Sequence, residues 1–341
     1  MIVQRRVLKG LGLLLAIATM ISPVVPAFAA TTAPITGTFT INAAPSVDAV
    51  TMADTSLTPQ SNHVITVDVS DADSIDDISQ LVLKLWYDTD GGTVSETEFN
   101  NATANAQTAA VLTWTKSGQS AVAPVLTPAG TTWSLVSYTV PSTPAHFSGT
   151  SFQWSFTIKV GKVATETNGL DRWQAAAKAT DLAGASDFNY DATNATMNWY
   201  GEISGLTSVT VDWGTVAPGL PFNGPGSQQS IGATAVYIAN GAYDQKVKSD
   251  ATWLGNTYTA TLDPTGATAS NNEFALKADD TATYASAVLV DTVGVTINDT
   301  GVQTTEIGDS VANNTLWLKL ASSFDKDTYS GTITYIIANG S

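Results

Sequence analysis

Strict alternation of apolar and polar side chains constrains this chain more than any other feature. Phe152, Trp154, Phe156, Ile158 and Val160 are interleaved with Gln153, Ser155, Thr157 and Lys159. Successive side chains of a β-strand point to opposite faces, so such a run buries one face and wets the other. Similar runs recur at Ile65/Val67/Val69, Leu81/Leu83/Leu85, Trp133/Leu135, Leu316/Leu318/Leu320 and Tyr329/Gly331/Ile333/Tyr335/Ile337. Clusters of Gly, Asn, Asp, Pro and Ser separate them at short intervals. Thr is abundant and Glu scarce, a composition that suits pleated surfaces better than helices. The expected fold is all-β, built from antiparallel sandwiches.

The N-terminus sets the compartment. Arg5, Arg6 and Lys9 precede the apolar run Leu11–Ile21, and a Pro-containing stretch leads to Ala27-Phe28-Ala29. That order is the layout of a secretory signal peptide over residues 1–29, with cleavage expected after Ala29. The apolar run is short for a membrane span. Arg5-Arg6-Val7-Leu8-Lys9 matches a twin-arginine signal only loosely, so the general secretory route is expected. There is no cysteine, although an oxidising exterior permits disulfides, so the fold must hold by core burial, with or without a metal. No C-terminal apolar span, lipobox or sorting signal is evident. The expected location is extracellular or cell-surface, without membrane insertion after cleavage.

Removal of residues 1–29 lowers Lys+Arg from 14 to 11 against 30 Asp+Glu, a formal charge of −19. Such a surface repels nucleic acid and anionic lipid. It also offers carboxylates to divalent cations, and hard cations prefer oxygen ligands. The remaining chain, about 310 residues, exceeds what one core usually serves, so two domains in tandem are expected. No fixed-period repeat relates its halves.

Two resemblances place those domains. Residues 30–190 are assigned to the first; Ala44-Pro45-Ser46-Val47, the strand Val64–Ser70 and Asp71-Ala72-Asp73 look like the opening of bacterial and archaeal immunoglobulin-like modules. Thr180-Asp181-Leu182-Ala183-Gly184 resembles the T-D-x-A-G turn that closes them. That turn implies a strand at Trp173–Ala179, despite its richness in the best helix former. Residues 191–203 are then a linker or strand, and 204–341 a second sandwich. Val211-Asp212-Trp213-Gly214-Thr215-Val216-Ala217-Pro218-Gly219 is similar to the F-G-x-x-x-P-G opening of secreted sandwiches in the camelysin/TasA group. Asp327-Thr328-Tyr329-Ser330-Gly331-Thr332-Ile333-Thr334 matches most of their closing G-T-Y-x-G-T-I-T, with Lys326 or Asp327 where the first Gly belongs. The group includes matrix-filament and surface proteins, which implies a structural role.

Asp68, Asp71, Asp73, Asp76 and Asp77 form the densest acidic run, followed by Asp88 and Asp90 before Gly91-Gly92. Calcium takes six to eight oxygens, and loops at one end of a sandwich can gather them. Asp68, Asp71, Asp73, Asp88 and Asp90 are the candidate ligands, with Asp181 able to join. The competing reading is that these carboxylates initiate and solvate turns. Asp88 does not open an EF-hand, since Phe99 occupies the twelfth position.

Little points to catalysis, and no catalytic residue is assigned. His63, at a strand start, and His146, in a turn after Pro144, are the only histidines and are expected at the surface or rim. No H-E-x-x-H occurs, and no carboxylate pair is marked out for glycoside chemistry. Of nine tryptophans, Trp154, Trp173 and Trp213 fall on inward registers. Trp86 and Trp317 share strand faces with Lys84 and Lys319, opposite the leucine rows, and are expected to be exposed or to line an interface, either flattened against the interdomain contact or forming a glycan platform. Ile35, Phe39 and Ile41 alternate across residues 30–44, a strand that either completes its own sandwich or is donated to a neighbour. Five N-x-S/T sequons, at Asn101, Asn194, Asn298, Asn313 and Asn339, are glycan acceptors if the host glycosylates.

The expected function is that of a non-enzymatic extracellular structural or cell-surface protein. Its expected partners are copies of itself or other surface proteins, with calcium as the one cofactor suggested. The alternative is a glycan-binding adhesin whose partner is a polysaccharide.

Overall fold

The computed structural model describes residues 41–207, 210–230, 235–311 and 314–340, and residues 42–341 form one compact unit. The expected signal peptide and residues 30–40 lie outside the described residues. The described chain is nearly all β, as the alternation requires.

Eleven strands come first: β1 (Ser46–Met52), β2 (Ser56–Leu57), β3 (Asn62–Ser70), β4 (Ile78–Asp88), β5 (Ala109–Thr115) and β6 (Val125–Thr127), then β7 (Ser134–Thr139), β8 (Ser151–Lys159), β9 (Arg172–Asp181), β10 (Ser186–Tyr190) and β11 (Thr196–Met197). They make a four-stranded sheet, β1-β3-β8-β7, and a five-stranded sheet, β10-β9-β4-β5-β6. One core cluster takes residues from both. Ile65, Val67, Trp154, Phe156 and Ile158 come from the first sheet, and Leu81, Leu83, Leu112, Trp114 and Trp173 from the second. Trp114 and Trp154 meet edge-to-face at 5.6 Å. The alanine-rich stretch is strand β9, held centrally between β10 and β4. Ala175, Ala177 and Ala179 join that core while Ala176 faces the other way, so tertiary burial of both faces overrides helix propensity.

The later strands are β12 (Gly201–Leu206), β13 (Gln228–Ser230), β14 (Ala235–Ala239), β15 (Tyr243–Ser249), β16 (Thr252–Leu254) and β17 (Thr259–Leu262), then β18 (Glu273–Asp279), β19 (Val288–Leu289), β20 (Val295–Asp299), β21 (Asp309–Val311), β22 (Thr315–Leu320) and β23 (Ile333–Asn339). They pair as β13-β22-β18-β17-β16, β20-β15-β23 and β12-β14-β21. Trp253, Leu262, Phe274, Leu276, Val290 and Leu316 build their main core. Among the described residues the named strands pair antiparallel except at β2/β11 and β17/β18, which are short parallel contacts.

Residues on either side of position 200 are joined by a buried polar junction. The Asn240 side chain donates to Ala164 O (2.8 Å) and Asn198 O (2.9 Å) and accepts from Tyr200 N (2.6 Å). Its backbone carbonyl accepts from Glu166 N at 2.9 Å. Around it, Gln107 Nε2 donates to Thr304 O, Thr132 donates to Glu306, and Lys162 pairs with Glu202.

Two expectations of exposure are corrected by the cover on the outer sheet faces. Trp86 is 6% exposed because helix α1 (Glu96–Asn101) lies over its face of the sheet. Phe99 of α1 meets Trp86 edge-to-face at 6.4 Å, and Val82, Val94 and Phe188 complete that cluster. Lys84 does not mark a wet face, since its Nζ donates to Phe99 O (2.6 Å) and Ala102 O (2.7 Å) at the end of the helix. Trp317 is 1% exposed, covered by Phe222, Tyr284 and Ala287. There Lys319 Nζ donates to Gly266 O at 2.7 Å.

One histidine also differs from expectation, while the other sits at the rim. His63 is buried, because Thr58 N donates to its Nε2 (3.1 Å) and its Nδ1 meets Asp54 Oδ2 at 2.7 Å. His146 is half-buried in helix α2 (Pro144–Ser148), with its ring 5.0 Å from that of Phe152.

Candidate metal centre

Asp71, Asp73 and Asp77 each place one carboxylate oxygen within 4.8 Å of the other two. Two oxygens on one calcium ion, each at about 2.3–2.6 Å, lie no more than roughly 5 Å apart, so this spacing suits a shared cation. Local chemistry fixes each residue. Asp71 follows β3 with its N–H on Thr150 O (2.9 Å), and its Oδ1 accepts from Asp73 N (2.8 Å), an Asx turn that swings Asp73 back over the strand end. Ile75, fully buried, plugs the core and donates its N–H to Gly149 O (2.8 Å), which pins the 3-10 turn Ile75–Asp77. Asp77 then leads into β4, whose first residue Ile78 lies opposite Asp181 of β9.

The electrostatics are unbalanced. Asp71 is 2% exposed, and its Oδ2, like Oδ2 of Asp77, is buried with no hydrogen-bond partner. Burial pushes the Asp77 carboxyl above the usual carboxylate range, and the neighbouring charges of Asp71, Asp181 and Asp73 push it the same way. Lys116 opposes that rise but is committed to Asp76, at 2.8 Å; its hydrogen bond holds the Asp76 carboxyl low. A buried carboxylate oxygen left without a partner costs stability, and a divalent cation is the partner that matches several at once. These residues therefore fit calcium on donor type, spacing and unsatisfied charge.

Of the five ligand candidates from the sequence, Asp71 and Asp73 are brought together. Asp68 points away, on the outer face of β3, where it accepts from Gln153 Nε2 (2.9 Å). Asp88 ends β4 about 33 Å from Ile78, the strand's first residue, at ~3.3 Å per residue, and Asp90 lies just beyond it. There they shape a turn: Asp88 Oδ1 accepts from Asp90 N (3.2 Å) and Asp90 Oδ1 from Gly92 N (2.9 Å). Asp77 takes their place as the third carboxylate of the group, while Asp181, at the end of the ladder partner of β4, adds its charge beside Asp77. The signal for both was in the chain, since a residue just before one strand and a residue ending its ladder partner share one end of the sheet.

A second concavity, a cleft of about 670 Å³, opens between residues 210–218 and the main core of the later strands. Trp213, Trp253, Phe274, Phe324, Tyr329 and Tyr335 are among its lining residues. Its three carboxylates are engaged in turns rather than aimed at one another. Asp212 accepts from Gly214 N, Asp325 from the side chains of Asn271 and Asn272, and Asp327 from Thr257 N and Tyr258 N. Those backbone N–H groups hold the Asp327 carboxyl down at about 2.

No protein-family model and no curated protein matches this chain. Among solved structures, it is similar to the crystal structure of Spo0M, a sporulation control protein from Bacillus subtilis. The TM-score is 0.27 at 11% sequence identity, covering 58% of this chain and 68% of that one. Nothing of fold or function is carried over from it.

Proposed function

We propose that this is a non-enzymatic extracellular structural or cell-surface protein whose first sandwich is clamped by calcium. In this reading the earlier strands are an immunoglobulin-like module and the later ones a camelysin/TasA-like sandwich, and the protein works through contacts with its own copies or with other surface proteins. One observation carries the cation: three carboxylates converge at one end of the first sandwich with two buried oxygens that have no partner. Extracellular calcium modules bind with Kd of about 10⁻⁴–10⁻³ M, which suits an exported protein in a calcium-bearing medium.

The test is calorimetric titration of purified mature protein after chelation, with thermal unfolding alongside. One saturable site and a raised Tm are expected, both lost in Asp71→Asn. Absence of binding at 10 mM calcium, on the order of ten times the weakest such Kd, overturns the cation reading. Electron microscopy tests the structural role. Ordered polymers support it, and monomers at every salt and calcium concentration refute self-assembly.

A further inference from the structure

The first sandwich is latched along one flank and open along the other. Where β1 and β10 meet, side chains tie the two sheets together: Val47 N donates to Asp187 (2.8 Å), Met52 N to Asp191 (2.5 Å), and Asn189 Nδ2 to Val47 O (2.8 Å). On the opposite flank lie β7, which ends one sheet, and β6, which ends the other. Among the described residues β7 pairs only with β8 and β6 only with β5, so each presents a free edge of backbone N–H and C=O groups. Leu126 of β6 stands opposite Leu112, and Tyr138 of β7 opposite Phe156; directly opposed residues share a face, so both point inward. Tyr138 is nevertheless 43% exposed, because nothing closes the core between the two edges. The two inward side chains also stand at one height. β3 ends and β4 begins at the acidic turn, so their antiparallel partners β8 and β5 run in opposite directions. The Trp114–Trp154 contact ties β5 to β8, and Leu112 and Phe156 each lie two residues from it, on the same side.

We propose that this flank is an interface with a second copy of the chain, in which β7 of each copy pairs antiparallel with β6 of the other about a two-fold axis running along the strands. The proposal rests on the reading that the protein works through contacts with its own copies. Charge selects the partner. The chain carries a formal net charge of −16, yet no Asp, Glu, Lys or Arg occurs from Ser117 to Ile158, the run that holds β6, β7 and most of β8. Copies repel one another wherever their carboxylates meet, and a two-fold axis on this flank brings neutral strands against neutral strands. Sheet edges are usually guarded by charge; these carry none, and β7 has only the register shift at Val136. The faces match as well. The axis sets Val125 against Thr139 of the second copy, Leu126 against Tyr138, and Thr127 against Ser137. Leu126 and Tyr138 point inward, whereas Val125, Thr127, Ser137 and Thr139 alternate with them and point outward, so each pair shares one face. Each four-stranded sheet then continues through β6 into the five-stranded sheet of the second copy, and Tyr138 is covered.

Sedimentation velocity over a range of protein and salt concentrations tests this, together with cross-linking through cysteines introduced into a chain that has none. Native protein is expected to form a dimer that strengthens as salt screens the like charge of the two copies. Tyr138→Lys, which buries a charge only in the dimer, is expected to weaken dimerisation at least about tenfold. Val293→Lys, at an 81% exposed site between β19 and β20, is expected to leave it unchanged. Val125→Cys and Thr139→Cys are each expected to stay unlinked alone and to give a disulfide-linked dimer when mixed, since opposed residues on paired strands stand about 4.5–5.5 Å apart at Cα, within disulfide reach. If native protein self-associates while Tyr138→Lys does so equally well, the proposal fails and self-contact through another surface stands. It fails in the same way if the mixed cysteine variants give no more linked dimer than either alone. If native protein stays monomeric at every concentration and salt, this contact and the self-copy reading both fall.

Discussion

Asn240→Ala removes the centre of the polar junction, and its cost can be worked from the contacts. The side chain is fully buried and makes three hydrogen bonds, to Ala164 O, Asn198 O and Tyr200 N, all carried by backbone groups. Ala164 is itself fully buried, so its carbonyl is left with no partner and water is excluded, which costs about 1–3 kcal/mol. Asn198 and Tyr200 are more accessible and recover part of their loss from solvent, so each costs roughly 0.5–1.5 kcal/mol. Allowing for overlap, the expected loss is about 3–4 kcal/mol. Asn240→Asp is nearly isosteric but turns an acceptor toward the Ala164 and Asn198 carbonyls, so it is expected to be worse at pH 7. Urea unfolding followed by tryptophan fluorescence and circular dichroism gives the number. If the junction couples the strands before and after position 200, native protein melts in one transition, and Asn240→Ala separates the two probes. A loss below about 1 kcal/mol with coincident transitions, or an aspartate variant milder than the alanine, would refute the assignment of the junction to these bonds.

Further outcomes follow from other sites. Trp86→Ala and Trp317→Ala are each expected to lower stability by about 3–5 kcal/mol in chemical denaturation, as for buried aromatic truncations, whereas exposed tryptophans would cost little. Gly331→Ala is expected to cost about 1–3 kcal/mol by overpacking, because a Cβ there would lie 2.0 Å from Trp253 Cδ1; unchanged unfolding would show that the indole moves freely aside. In calcium-free buffer Asp77 binds its proton more tightly folded than unfolded, so stability from this group rises as pH falls through its raised folded value toward 3.8. Asp77→Asn is expected to remove that rise in a pH series of denaturation midpoints, and an identical pH profile would discount the burial of this carboxylate.

The β-strands were legible because one face of most of them is buried and the other wet, so period two survives in the sequence. Phe152 to Val160 shows it, with Trp154, Phe156, Ile158 and Val160 all buried. The site was half legible. The Asp71-Ala72-Asp73 turn announced itself as a dense acidic run, but proximity along the chain misassigned Asp88 and Asp90, since an 11-residue strand carries them to the opposite end of the sheet.

The two misplaced tryptophans failed for a common physical reason. A lysine two residues from a tryptophan on one strand face reads as solvent, yet Lys84 spends its ammonium group on backbone carbonyls of the helix that covers Trp86, and Lys319 spends its own on the carbonyls of Gly266 and Ala267 in a turn. A long side chain can run its methylenes along apolar surface while its charge satisfies acceptors at the margin. Those segments take such donors because the bonded carbonyls are not paired in a sheet. In an all-β chain this poor in basic residues, with 14 Lys+Arg against 30 Asp+Glu, a lysine beside a tryptophan on a strand is thus as consistent with a covered face as with a wet one. A short apolar-bearing segment nearby in sequence, such as Glu96–Asn101 with Phe99 at its centre, is what distinguishes the two.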